Sequence, residues 1–151
     1  MSTVSVKTAS LANLESLAVL FNQYRQFYEQ NSDLALATEF IHQRLQNAES
    51  VILLAEDIHG KALEFCQLYP TFCSVEAKPI YALYDLFVLP QYRGHGIGRS
   101  LLLNAEALAK QNGKCRMDLT TAKTNLKAQS VYESLGWKRD EIFYAYNKVI
   151  D

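Results

Sequence analysis

The spacing of apolar residues changes several times along the chain, and each spacing predicts a different element. Over residues 11–28 apolar side chains recur every three or four positions, which predicts an amphipathic helix with Ser10 as its N-cap. A second helix is predicted from about Thr38, after a polar loop over residues 30–33. Residues 4–7 alternate polar and apolar side chains instead, a pattern typical of a strand.

Two apolar, β-rich runs in the middle of the chain predict a hairpin. Residues 51–56 and 61–69 are separated by the short segment 57–60, which places Gly60 at the turn. Pro70 is expected to end the pairing of these two strands, because proline has no backbone N–H to donate.

The second half of the chain predicts alternating strands and helices. The longest strand is expected over 80–89, closed by Pro90, and the later elements are a helix over 99–110, a strand over 114–120, a helix over 125–135 and a last, aromatic strand over 137–149. The predicted order is β-α-α-β-β-β-α-β-α-β. Because the early strands form a hairpin and the later ones are joined through helices, this order predicts an α/β fold, with a mixed sheet and helices on both faces.

Composition narrows the class of protein. A chain of 151 residues with 49% hydrophobic content is expected to form a single domain, residues 1–151, around one core. The formal net charge is −1 and lysines and arginines are scattered, so no nucleic-acid partner is expected. Neither a signal peptide nor a membrane span is recognisable, which predicts a cytoplasmic protein without a membrane partner.

No metal site is predicted. The three cysteines lack C-x-x-C spacing, and the three histidines lack the spacing of metal ligands.

The most informative segment is a glycine-rich loop between a predicted strand and a predicted helix. It reads, in order, Arg93, Gly94, His95, Gly96, Ile97 and Gly98. Alternating glycines let a ligand approach the backbone N–H groups of a helix N-terminus, where the helix dipole favours anions. The loop therefore predicts phosphate binding.

Two common phosphate-binding loops fit this segment poorly. A Walker loop ends in Gly-Lys-Ser/Thr, but Gly98 is followed by Arg99 and Ser100. A dinucleotide fingerprint needs a third glycine where Arg99 stands, although Asp118 lies about 20 residues on, where a ribose-binding acid would be sought. A nucleoside triphosphatase is disfavoured, and a Rossmann-type oxidoreductase is kept as a weaker alternative.

A second motif lies downstream of the loop. Arg93, Gly96 and Gly98 form R-x-x-G-x-G, and the downstream residues Asn125, Ala128, Tyr132, Gly136 and Trp137 form N-x-x-A-x-x-x-Y-x-x-x-G-W. With both motifs in this order, the chain resembles the GNAT superfamily of acetyl-CoA-dependent N-acetyltransferases over nearly its whole length. It is similar to the diamine and polyamine branch, and also to members that acetylate proteins.

The resemblance implies a set of coenzyme contacts. The loop residues 93–98, with Arg99, would hold the pyrophosphate or the adenosine 3′-phosphate of acetyl-CoA. The backbone of Leu86, Phe87 and Val88 would pair with the pantetheine amides and polarise the thioester carbonyl. Asn125 and Ala128 would contact the coenzyme from the following helix, although Asn125 is equally explained as an N-cap.

Two residues are candidates for catalysis. The resemblance places the hydroxyl of Tyr132 near the thioester sulfur, as the acid that protonates the departing thiolate. Asp85 is a charged residue within an apolar strand, where burial without a partner is costly. It could act as base, directly or through water, could hold a cationic substrate, or could be a structural acid.

The acceptor is expected to be a small amine. Tyr24, Tyr28, Gln67 and Tyr84 are candidate lining residues, and aromatic rings beside an acid suit an organic cation such as a polyamine or an amino acid. A protein lysine remains open as an acceptor. Acetyl transfer is expected to be direct, and a homodimer is possible. The alternative from another class is a non-catalytic acyl-CoA sensor with the same fold.

Overall fold

The computed structural model describes residues 3–151 and contains a five-stranded sheet. Its strands are β1 (Ser5–Thr8), β2 (Val51–Glu56), β3 (Ala62–Cys73), β4 (Lys78–Val88) and β5 (Met117–Asp118). They lie side by side in chain order, antiparallel from β1 to β4, and β5 runs parallel to β4. The predicted mixed sheet is confirmed.

Four α-helices accompany the sheet. They are α1 (Leu14–Phe27), α2 (Leu34–Gln46), α3 (Ile97–Gln111) and α4 (Leu126–Ser134), with short 3-10 turns at Leu11–Asn13 and Pro90–Tyr92. Within the described residues, no helix is both long and apolar enough to cross a bilayer.

Helices cover both faces of the sheet. On one face α1 and α2 pack over a core that includes Phe21 and Ile41 from the helices and Phe65 and Phe87 from β3 and β4. Helix α3 packs on the other face, where a side chain at Gly98 would meet Glu64 and Val88. Neighbouring strand residues point to opposite faces, so Glu64 and Phe65 belong to different sides of the sheet.

The described residues form two compact units, residues 3–119 and residues 120–151. The first contains the sheet with α1, α2 and α3, and the second contains α4. In the second unit, residues 137–151 form no strand, so the predicted strand over 137–149 is wrong. Backbone N–H groups of Ile142 and Phe143 instead donate to Asp140 Oδ1, and such local bonds compete with strand pairing.

Two further predictions need correction. Helix α2 begins at Leu34 rather than near Thr38, because the side chain of Asp33 caps it by accepting a hydrogen bond from the N–H of Leu36. Strand β3 runs to Cys73, beyond its predicted end at residue 69, although its pairing with β2 does end before Pro70, as predicted. Pairing with β2 ends at Leu68, so proline lies where only β4 flanks the strand, and a missing N–H is tolerated there.

Candidate active site

The glycine loop has the strand-to-helix geometry that the sequence predicts. Gly94 and Gly96 have φ values of 82° and 79°, a conformation that residues with a Cβ strongly disfavour. Gly96 is the N-cap of α3. The first N–H groups of an α-helix lack acceptors within the helix. The start of α3 therefore offers backbone donors and a favourable dipole to an anion.

Two neighbouring glycines of the loop give a paired stability prediction. Gly96→Ala is expected to destabilise the protein by about 1–2 kcal/mol, because alanine resists the left-handed conformation at φ 79°. Gly98→Ala is the matched control, since Gly98 has no such φ and its added Cβ would meet Glu64 Oε1 at an ordinary 3.5 Å. We expect that change to be neutral or stabilising in urea unfolding. Equal losses of stability in both variants would contradict this account of the loop.

Strand β4 presents an unpaired backbone edge toward the loop. Its pairing with β5 is limited to Tyr81 with Met117 and Ala82 with Asp118, whereas its pairing with β3 extends to Val88. Within residues 3–151, no strand pairs with the β5 side of β4 after Ala82. On that side the backbone of residues 83–88 forms no strand pairing, which is what pairing with an extended ligand would require.

Asp85 lies within a buried hydrogen-bond network on the α1 face. Gln67 Nε2 donates to Asp85 Oδ2 at 2.7 Å, and the hydroxyl of Tyr24 also hydrogen-bonds to this carboxylate. Ser50 Oγ in turn donates to Gln67 Oε1 at 2.7 Å, which orients the amide toward Asp85. Burial raises the pKa of Asp85, and the two hydrogen bonds offset part of that rise.

Aromatic side chains extend from this network along α1. The ring of Tyr24 lies 5.9 Å from that of Phe87 and 5.2 Å from that of Tyr28, and Tyr28 lies 5.2 Å from Phe27. Tyr84 is exposed and packs on Tyr69 at 5.5 Å. The structure thus brings Tyr24, Gln67 and Asp85 into direct contact and adds Tyr28 through Tyr24.

Arg93 lies on the same face as Asp85. Its Nε donates to the carbonyl oxygen of Val88 at 2.9 Å, and its guanidinium lies 5.2 Å from the ring centre of Phe27 and 5.5 Å from that of Phe87. The start of α3 lies on the opposite face of β4, beside Val88 and Glu64. The side chain of Arg93 is therefore turned away from the loop N–H groups that it was predicted to assist.

The second unit contains the downstream motif. Asn125 is the N-cap of α4, and its Oδ1 accepts a hydrogen bond from the N–H of Ala128 at 3.1 Å. Tyr132 is half-buried, and its ring lies 6.0 Å from that of Trp137. The N-cap interpretation of Asn125 is confirmed.

Comparison with known proteins decides the family. The model of the acetyltransferase (GNAT) family matches residues 14–137, most of the chain. The chain belongs to the GNAT family. A Rossmann-type oxidoreductase is thereby set aside, and the prediction of an N-acetyltransferase is confirmed.

Relatives of this acetyltransferase match along almost the whole chain. An uncharacterized N-acetyltransferase of Bacillus subtilis is 47% identical over 143 residues, 95% of either chain. An aminoglycoside N(6′)-acetyltransferase of Acinetobacter haemolyticus is 27% identical over 150 residues, 98% of this chain and 100% of the other. The crystal structure of a probable acetyltransferase superimposes with a TM-score of 0.91 at 37% identity, covering 97% of this chain and 98% of that one.

Sequence reasoning missed one buried acid of this acetyltransferase. Glu64 is fully buried, and neither carboxylate oxygen has a hydrogen-bond partner. Burial raises its pKa to about 8. Asp85 was identified as a charged residue within an apolar strand. Glu64 stands in the same kind of sequence, the apolar run of residues 61–69, so the same pattern would have identified it.

Proposed function

We propose that this GNAT protein transfers the acetyl group of acetyl-CoA directly to a primary amine of a small molecule. The observation that carries the proposal is the position of Asp85, a buried carboxylate on the strand whose unpaired edge leads to the glycine loop. Donor and acceptor could thus meet along β4.

The coenzyme is proposed to lie along β4 and the start of α3. Backbone N–H groups of residues 94–99 would hold its phosphates, and the open edge at residues 86–88 would pair with its pantetheine amides. The same edge would polarise the thioester carbonyl. Asn125 and Ala128 are retained as coenzyme contacts, on the family motif alone. The side chain of Arg99, in the first turn of α3, is proposed to reach a phosphate.

The acceptor amine must lose a proton before it attacks. An aliphatic amine with a pKa near 10.4 is almost entirely protonated at neutral pH. Asp85 is proposed to attract the ammonium group and take its proton, directly or through a water molecule. The raised pKa of Asp85 brings this carboxyl nearer to the working range of a general base.

The departing thiolate of coenzyme A is proposed to be protonated by Tyr132. This role rests on the motif position of Tyr132, the tyrosine of N-x-x-A-x-x-x-Y. A small-molecule acceptor agrees with the name of the Acinetobacter haemolyticus relative, an aminoglycoside acetyltransferase.

Thiol release from acetyl-CoA tests the proposal. We expect the wild-type protein to release coenzyme A with at least one member of a panel of amino acids, polyamines, aminoglycosides and lysine peptides. Tyr132→Phe is expected to lower turnover roughly 10²-fold, with acetyl-CoA affinity close to wild type, because only the acid is removed. Tyr144→Phe, an exposed tyrosine outside the motif, is the matched control.

Two outcomes would contradict the proposal. Acetyl-CoA binding without thiol release across the panel would favour a non-catalytic sensor. Unchanged turnover in Tyr132→Phe would remove that tyrosine from the role of acid.

A further inference from the structure

A groove beside the glycine loop has an unusual mixture of lining residues. Its volume is about 330 Å³, and it is lined by Gln23, Gln26, Phe27, Phe87, Pro90 and Arg93. Phe87 and Arg93 come from the β4 side, and the first three residues come from the last turns of α1. The groove therefore lies on the α1 face, the same face as Asp85.

Arg93 is the one charged residue among these lining residues. Its guanidinium is held by the carbonyl oxygen of Val88 and by the rings of Phe27 and Phe87. Within the described part of the chain, no carboxylate forms an ion pair with it, in contrast to Arg44, which lies over Phe40 and pairs with Glu49 at 3.0 Å. A guanidinium that is held in place and forms no ion pair is suited to bind a carboxylate through bidentate hydrogen bonds.

The groove and the buried acid are connected by aromatic rings. Phe87 lines the groove, and its ring contacts that of Tyr24, whose hydroxyl hydrogen-bonds to Asp85. Phe87 and Asp85 are same-face residues of β4, roughly 7 Å apart along the strand. The guanidinium of Arg93 lies 5.5 Å from the ring centre of Phe87, so a small molecule with a short aliphatic chain is the kind of ligand that could contact both Arg93 and Asp85.

We infer that Arg93 selects acceptors that carry a carboxylate a few carbons from the reactive amine, so that the substrate is an amino acid with a terminal amine rather than a polycation. The ammonium end would face Asp85 and the carboxylate end would face Arg93. A diamine would bring a second positive charge to an unpaired guanidinium, which is repulsive. The inference rests on the proposed acetyl transfer and reassigns Arg93 from the coenzyme to the acceptor.

Three amines that differ only at the far end test this assignment. They are γ-aminobutyrate, with an anionic end, n-butylamine, with a neutral end, and putrescine, with a cationic end. For the wild-type protein we expect kcat/KM to fall in that order, by about 10-fold or more from first to last, as for loss of a charge-assisted hydrogen bond.

Substitutions of Arg93 should change the order of kcat/KM among the three amines. Arg93→Gln is expected to bring the three kcat/KM values within about 3-fold of one another, because the neutral glutamine neither attracts an anionic far end nor repels a cationic one. Arg93→Glu is expected to reverse the order in favour of putrescine. KM for acetyl-CoA should stay near the wild-type value in Arg93→Gln, which adds no negative charge beside the proposed phosphate site. Arg44→Gln, another arginine over a phenylalanine, is the control and should keep the wild-type ranking.

The failures of the two proposals differ. Equal kcat/KM for all three amines, or a raised KM for acetyl-CoA in Arg93→Gln with an unchanged ranking, would overturn the assignment of Arg93 and leave acetyl transfer standing. An absence of thiol release with every amine, despite bound acetyl-CoA, would overturn the proposed function and the selection by Arg93 with it.

Discussion

Replacing Asp85 with asparagine is expected to lower kcat about 10³-fold, within the range for loss of a general base. Asparagine has nearly the same shape and still accepts a hydrogen bond, but it cannot take a proton from the acceptor amine. KM for acetyl-CoA should change little, because the side chain of Asp85 is not among the proposed coenzyme contacts. Steady-state kinetics with the best acceptor would measure both effects.

The pH dependence separates a base from a merely structural acid. Because burial raises the pKa of Asp85 above its ordinary value, wild-type activity should be lost on acidification at a pH higher than for an exposed aspartate. The residual activity of Asp85→Asn should lack this acid limb. Tyr24→Phe removes a hydrogen bond that lowers the pKa of Asp85, so its acid limb should move to higher pH.

A control and a contrary result complete this test. Asp33→Asn makes the same substitution at the N-cap of α2, where asparagine caps equally well, and should leave kcat unchanged. If Asp85→Asn kept kcat within about 2-fold of wild type while losing stability, Asp85 would be structural.

Local chemistry explains why the glycine loop and α3 were predictable. Gly96 is needed at an N-cap with positive φ, and apolar residues follow at helical spacing, so a few adjacent residues determine the element. The hairpin between β2 and β3 is similar, because Asp57 Oδ1 accepts from the N–H groups of His59 and Lys61 around the turn.

The failed predictions depend on distant or competing partners. Residues 137–149 have strand-like composition, but a strand also needs a neighbour for its backbone, which composition does not reveal. The start of α2 was missed because Leu34 and Leu36 are apolar but about half exposed, so the first turn of the helix does not follow the spacing of its buried residues. The orientation of Arg93 was likewise unreadable, because it depends on Phe27, which comes from another part of the chain.

Glu64→Gln is expected to abolish much of the loss of stability that the wild-type protein shows as the pH rises toward 8. The pKa of Glu64 is raised by burial from 4.5 to about 8. Below the pKa that Glu64 has in the unfolded chain, the carboxyl is protonated in both the folded and the unfolded state, and its burial carries no ionisation penalty. Stability is then lost as pH rises from about 4.5 to 8, to a total on the order of 4 kcal/mol. Urea unfolding from pH 5 to 9 would measure this slope.

The coenzyme provides a second measurement for Glu64, because the carboxyl lies beside the first turn of α3, at 3.5 Å from the position of a Cβ on Gly98. Ionisation there adds a negative charge beneath the proposed phosphate site, so KM for acetyl-CoA should rise above pH 8 in the wild type and stay flat in Glu64→Gln. Glu106→Gln, an exposed glutamate on the same helix, should behave as wild type in both measurements. Parallel stability curves for wild type and Glu64→Gln between pH 5 and 9 would show that Glu64 does not remain buried and uncharged at neutral pH.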